Sequence, residues 1–371
     1  MATSEFRTPG KIVFGVGTLK TLGEEARRLG KRALLVTGRR AMAEAGVTAR
    51  CLSILAAAGV DTQLFDDVEP EPDITTVDRC RRAIREHGAD LAIGLGGGSA
   101  MDVAKVAAGL ARETEPTRAF HQGRKIERRG LPNIAVPSTS GTGSEMTNNG
   151  VVSDRERQLK ASIRDESLIP AVALVDPAVT VSSPPEVTAA SGVDALVQAV
   201  ESYLSRFATP MTEAISLRAA EEMVRALPAV VTHGNDLDLR TRAAWGSAMA
   251  GLGLSNARLG VIHGIAHPVG VRFNVPHGLV CGVLLPAALE FNRPAAPEKY
   301  AVLARLFGQD PAAYARRLLE ACGLPARLTK YGLSADAFDA IADESLPSGS
   351  TKANPRAVTK ADIVAMLGVI M

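Results

Sequence analysis

The feature that most constrains the fold is the run Ala89-Asp-Leu-Ala-Ile-Gly-Leu95, followed at once by Gly96-Gly97-Gly98-Ser99 and an apolar helical stretch through Ala111. A short apolar strand that turns through glycine straight into a helix is one half of a βαβ unit, and such units build parallel sheets. The same alternation surrounds it. Lys31 to Thr37 reads as a buried strand stopping at Gly38, and Thr48 to Gly59 as a helix ended by glycine. Asp61 to Val68 reads as a strand, Asp73 to Gly88 as a charged surface helix, and Asn133 to Val136 and Ala173 to Val175 as further strands. Strands alternating with helices predict a mostly parallel sheet covered on both faces.

Near Pro184-Pro185 the pattern changes, and helical periodicity dominates: Asp194 to Leu204, Glu213 to Ala226 and Leu239 to Leu254 carry apolar residues at helical spacing. The expected division is therefore an α/β dinucleotide-binding domain over residues 1–182 and an all-helical metal and substrate domain over 183–371. A length of 371 residues with 46% hydrophobic residues suffices for two such cores. The net charge of +2 gives no basic surface for nucleic acid or membrane. No stretch approaches a membrane span, and Met1 to Lys11 has no apolar signal core, so a cytoplasmic location is expected. The four cysteines (Cys51, Cys80, Cys281, Cys322) form no C-x-x-C pair, which argues against a disulfide framework or a cysteine-based zinc site.

Three loops and one histidine cluster carry the chemistry. Gly96-Gly97-Gly98-Ser99 between strand and helix suits a diphosphate, because glycine lets the backbone approach and the helix N-terminus offers free N–H groups; the alternative is a tight turn. Pro137-Ser-Thr-Ser-Gly-Thr-Gly-Ser-Glu145 is a second loop of the same kind. Gly38-Arg39-Arg40 lacks the acid that would hold an adenosine ribose and offers two arginines, which points toward NADP(H), with solvated arginines as the alternative. Of six histidines, His263, His267 and His277 fall in one apolar segment, and the first two share a face if that segment is helical. Such a cluster suggests a metal or catalytic site, whereas His87, His121 and His233 sit among polar residues and are expected at the surface. Asp194 opens a helix among small apolar residues; it is either a ligand or an acid satisfying helix N–H groups.

In this order the motifs resemble the iron-containing (group III) alcohol dehydrogenase family, within the dehydroquinate-synthase-like fold. The resemblance runs from Pro9-Gly-Lys-Ile-Val-Phe-Gly-Val-Gly17 through the two glycine loops, Val-Asp-Pro177, Gly-Val-Asp194 and the histidine segment to Asn354-Pro-Arg356. It implies a cofactor domain and a helical domain with the active site in the cleft between them, and hydride transfer between NAD(P)(H) and a small alcohol, aldehyde or ketone. It also implies metal ligands at Asp194, Gln198, His263 and His277, although Gln198 stands where the family has histidine. His267 corresponds to the residue near nicotinamide and substrate. Gly97, Gly98 and Ser99 match the diphosphate loop, and Thr139 and Thr142 the second cofactor loop; Asp102 and Lys160 complete the expected cofactor set. Asn149 is expected to line the substrate pocket, and Lys352 either to meet an acid group on the substrate or to stand as a surface residue.

An amide oxygen is a weaker ligand than an imidazole for Fe2+ or Zn2+. Two sub-readings follow: a metal held by Asp194, His263 and His277 with Gln198 beside them, or a metal-independent reductase of the maleylacetate reductase type relying on His267. A superfamily lyase or polyol-phosphate dehydrogenase is disfavoured by Gly-Val-Asp194 and Asn-Pro-Arg356, and a silent cofactor-binding homologue by the retained His267 and His277. The expected cofactor is NADP or NAD. The expected partners are a small-molecule substrate and a second copy of the chain in a homodimer, with Lys11 to Phe14 as the contact strand.

Overall fold

The computed structural model describes residues 5–371. The first four residues, part of the expected first domain, lie outside the described residues. The chain forms two compact units: residues 8–139 and 143–183 make one, and residues 5–7, 140–142 and 184–371 make the other.

The first unit is built on a six-stranded sheet: β1 (Lys11–Phe14), β2 (Arg32–Gly38), β3 (Asp61–Val68), β4 (Leu91–Gly96), β5 (Asn133–Pro137) and β8 (Val172–Val175), in the order β1-β8-β5-β4-β2-β3. Every pairing in it is parallel. Its central strands are buried along nearly their whole length because helices cover both faces. Alternate side chains part to the two faces. Leu34, Val36 and Ala92 pack against Val77 and Ile84 of the Ile74–His87 helix and Val103 and Val106 of the Gly98–Gly109 helix. Leu35, Ile93 and Val136 pack on the other face with Leu22 and Leu55. Each such leucine contributes on the order of 2 kcal/mol by burial.

Register brings the cofactor motifs together. Thr37 pairs with Leu95 and Gly96 with Pro137, so Gly38, Gly96 and Pro137 end three adjacent strands at the same carboxyl edge. Ligands of open parallel sheets bind at that edge.

The sequence reading missed an antiparallel hairpin, β6 (Asn149–Asp154) with β7 (Leu159–Arg164). Its turn, residues 155–158, carries no glycine or proline, and Gln158 takes the left-handed conformation instead. His121 is a correction: expected at the surface, it is buried, and its Nε2 lies 3.0 Å from the Val152 carbonyl. His87 is half-buried and only His233 is exposed as expected.

No strand follows Val175 among the described residues. The second unit packs the helices Pro185–Leu204, Pro210–Ala226, Leu237–Ala257, Val261–Phe273 and His277–Asn292 around one apolar core. The first of these begins at Pro185, at a position where proline's missing N–H costs nothing. Asp194 therefore lies inside the helix, not at its start, and the reading of it as an acid serving free N–H groups is overturned. No described helix is long and apolar enough to cross a membrane.

Candidate functional site

In the sheet unit, Gly97 stands before the Gly98–Gly109 helix, and no side chain caps its first N–H groups. Gly96 has φ +145°, a conformation that excludes a β-carbon at little cost only for glycine. A β-carbon at Gly97 would point at Thr139, 3.6 Å from its Oγ1, so a side chain there would fill the space between the two loops. Ser99 and Thr139 are half-buried at this edge. Half-buried Thr142 belongs with residues 140–142 to the helical unit. The edge thus offers open backbone donors and a glycine cradle, which fits a diphosphate.

Asp102 sits behind this loop. Its Oδ2 accepts from the Val151 N–H at 2.9 Å and its Oδ1 from the Ser144 hydroxyl. Buried Lys105 donates to the Ser144 carbonyl at 2.7 Å, to Ser144 Oγ at 2.8 Å and to Thr147 Oγ1 at 2.9 Å, and lies 3.6 Å from Asp102. Burial pushes the Lys105 amine down to about 8, and the Glu145 carboxyl, buried beside it, up to about 7. The network ties the first loop's helix to the Ser144–Met146 turn after the second loop.

Lys160, on β7, is ion-paired with Glu71. Asn149 opens β6, buried, with its Nδ2 3.4 Å from Ser162 Oγ. At the end of β2, a β-carbon on Gly38 would meet only the Val68 carbonyl, at 3.5 Å. Arg39 Nε donates to Asp67 at 2.8 Å, and Arg79 pairs with the same carboxylate. The Arg39 guanidinium, expected to meet a 2′-phosphate, is thus paired with Asp67, while Arg40 is exposed.

The helical unit holds a second buried cluster. Asp194, Gln198 and Glu201 stand at i, i+4 and i+7 on the Pro185–Leu204 helix, hence on one face, all buried. His263 and His267 share a face of the Val261–Phe273 helix, as their spacing predicts. The chain turns at Asn274, which has φ +50°, and Pro276 introduces the next helix, which starts at His277 and carries Cys281 one turn on. Gly278 lets that helix approach: a β-carbon there would lie 2.1 Å from the Ala190 carbonyl and 3.2 Å from Asp194 Cβ.

The His263 Nδ1–H donates to Glu201 Oε2 at 2.6 Å, since an ionised carboxylate only accepts. This turns Nε2 toward Asp194 Oδ1 at 3.4 Å and Cys281 Sγ at 3.8 Å. His277 Nε2 lies 3.6 Å from the same sulfur and 3.9 Å from Asp194 Oδ1. One ligand atom from each of Asp194, His263, His277 and Cys281 falls within 4.8 Å of all the others. Gln198 Nε2 donates to Asp194 Oδ2 at 2.9 Å, while Asp194 Oδ1 and Gln198 Oε1 are buried and accept no hydrogen bond among the described residues. Burial alone would raise the Asp194 carboxyl, but the facing His277 and His263 hold it below its usual range. Burial likewise opposes a charged His263, and Cys281, Asp194 and Glu201 together outweigh it. An orphaned buried carboxylate oxygen facing two imidazoles and a thiol fits a divalent cation.

His267 stands outside this set of four, half-buried, with its ring stacked on His277 at 5.2 Å between centroids. Lys352 is exposed on the short Gly349–Ala353 helix. Glu201 and Cys281 escaped the sequence reading; their signal was helical spacing, i+7 from Asp194 and i+4 from His277.

Comparison with known proteins agrees with this arrangement. Residues 9–177 match the iron-containing alcohol dehydrogenase family, and residues 188–371 match the C-terminal part of the Fe-containing alcohol dehydrogenase family. The chain is 31% identical to the NAD-dependent methanol dehydrogenase of Bacillus methanolicus, over 98% of this chain and 99% of that protein. It is 33% identical to lactaldehyde reductase of Escherichia coli, over 95% of each. The alcohol dehydrogenase from Oenococcus oeni superposes with a TM-score of 0.96 at 33% identity, covering 100% of both chains. A sheet unit with an open phosphate edge and a helical unit with a cation-ready cluster, matched along the full chain, establish that this protein belongs to the iron-containing alcohol dehydrogenase family and is an oxidoreductase of the alcohol dehydrogenase and aldehyde reductase type.

Proposed function

We propose that the protein transfers a hydride between NAD(P)(H) and a small alcohol, aldehyde or ketone, with the carbonyl polarised by a divalent metal held by Asp194, His263 and His277. The buried, orphaned Oδ1 of Asp194 facing the two Nε2 atoms carries this reading. When bound, the metal supplies Lewis acidity to the substrate oxygen.

The chain's own residues do the rest. Glu201 holds His263 in the tautomer that presents Nε2. The loop over Gly97, Gly98 and Ser99 binds the diphosphate through backbone N–H groups, and the nicotinamide brings the hydride. His267, half-buried against His277, moves a proton at its imidazole nitrogen between the substrate oxygen and water. Small substrates are favoured by the relatives named for methanol and lactaldehyde. Asn149 is the proposed pocket residue and Lys352 the group for an acid-bearing substrate. Assembly through the exposed edge of β1 belongs to the same proposal.

The test is a steady-state panel of small aldehydes and ketones with NADH and NADPH, before and after chelation, with metal counted per chain. About one ion per chain, and activity lost with it, is the expected result. Full activity without bound metal would overturn the metal and establish the metal-independent reductase. Replacing His267 by Ala should lower kcat and leave cofactor Kd unchanged; an equal loss in both would remove the proton role.

A further inference from the structure

We infer that Cys281 supplies a sulfur ligand to the metal and completes a four-donor set of Asp194, His263, His277 and Cys281, whereas Gln198 is a positioning residue that never touches the ion. The inference rests on the metal reading above and names its protein donors; the substrate oxygen would join them as a fifth, an expansion that catalytic zinc-type sites allow.

Geometry carries it. Ligand atoms about 2.0–2.3 Å from a tetrahedral centre stand roughly 3.3–3.8 Å apart. The His263 Nε2 to Asp194 Oδ1 distance is 3.4 Å, and the His277 Nε2 to Cys281 Sγ distance 3.6 Å. His263 Nε2 to Cys281 Sγ is 3.8 Å, and His277 Nε2 to Asp194 Oδ1 is 3.9 Å. The first three distances fall in that range and the fourth lies just beyond it, and no pair of the four atoms exceeds 4.8 Å.

Gln198 is arranged otherwise. Its amide turns Nε2 toward Asp194, because a carboxylate oxygen accepts only from N–H, and an amide nitrogen is no ligand. The hydrogen bond holds Asp194 Oδ2 and leaves Oδ1 to face the imidazoles. Chemistry agrees with geometry. A thiolate and a carboxylate together balance a divalent charge in a buried site, and a sulfur donor shifts preference toward zinc-like tetrahedral ions. The other three cysteines lie outside this cluster.

The experiment loads the full-length, chelator-stripped protein with Co2+ alone and records its absorption spectrum. The expected result is one cobalt per chain, a near-ultraviolet sulfur-to-cobalt charge-transfer band and the visible bands of four-coordinate cobalt. Cys281→Ser should lose the near-ultraviolet band and bind cobalt at least about tenfold more weakly, the lower bound for losing even an outer-sphere partner. Cys322→Ser, a buried thiol elsewhere, should keep the band. Gln198→Ala should keep the band while binding cobalt more weakly. The wild-type spectrum answers even if a variant misfolds. Cobalt bound without a sulfur band, or a band surviving Cys281→Ser, overturns the sulfur ligand and leaves the metal in place. No cobalt bound overturns both this inference and the metal part of the proposed function.

Discussion

Each unit of this protein buries a cluster of charged groups, and the two clusters are finished differently. Around Lys105 every donor has its acceptor: the ammonium reaches Ser144 and Thr147, and Asp102 is held by Ser144 and the Val151 N–H. Around Asp194 two imidazoles and a thiol converge, and the carboxylate's Oδ1 accepts no hydrogen bond among the described residues. A closed network is architecture; an open one is a binding site. The first holds the glycine loop in shape, and the second is the metal site proposed above.

That comparison can be broken or sharpened. The largest effect is expected at the open cluster. Asp194→Asn should remove the bound metal and lower kcat by about 10³-fold or more, the several kcal/mol that a Lewis acid contributes. Its folding stability should hardly fall. A variant with its metal and most of its turnover intact would make Asp194 a structural acid.

At the closed cluster the reverse is expected. Lys105→Met strands buried Asp102 and should cost about 3–5 kcal/mol in chemical denaturation, with metal content unchanged. A loss below about 1 kcal/mol would mean that the network is not closed in solution.

The closed cluster also predicts a pH dependence. The Glu145 carboxyl rises from 4.5 to about 7 through burial, so the folded state holds a proton that the unfolded chain has released between those values. Its stabilising contribution is complete below pH 4.5 and is lost as pH rises through 7, on the order of 3 kcal/mol in all. Burial also lowers the Lys105 amine from 10.5 to about 8, so stability should recover as pH rises from 8 to 10.5. Glu145→Gln should flatten the first slope and leave the second; identical profiles would exclude Glu145.

The smallest effect concerns the cofactor edge. Gly38→Asp has room for its side chain and should shift preference toward NADH by about tenfold in kcat/KM, because the new carboxylate would meet the ribose. No shift would mean that the end of β2 does not meet the adenosine ribose, and that Arg39, already bound to Asp67, is a bystander.

The sequence by itself determined the sheet. Its central strands are short apolar runs, and a strand buried on both faces must be written that way. It also determined the glycine loops and the histidine face, because a turn and a helical repeat are local properties. The hairpin over β6 and β7 was not legible, since its turn uses Arg155 to Gln158 rather than glycine. His121 misled because burial depends on what comes from elsewhere in the chain, here Val152. Only the tertiary structure brought together the residues of the proposed donor set. Asp194, His263 and Cys281 come from three helices, and nothing local reveals that Cys281 reaches both imidazoles or that Gln198 turns its nitrogen toward Asp194. Such convergence is set by how helices pack, through Gly278 against Ala190, and packing is a property of the whole core, not of any one segment.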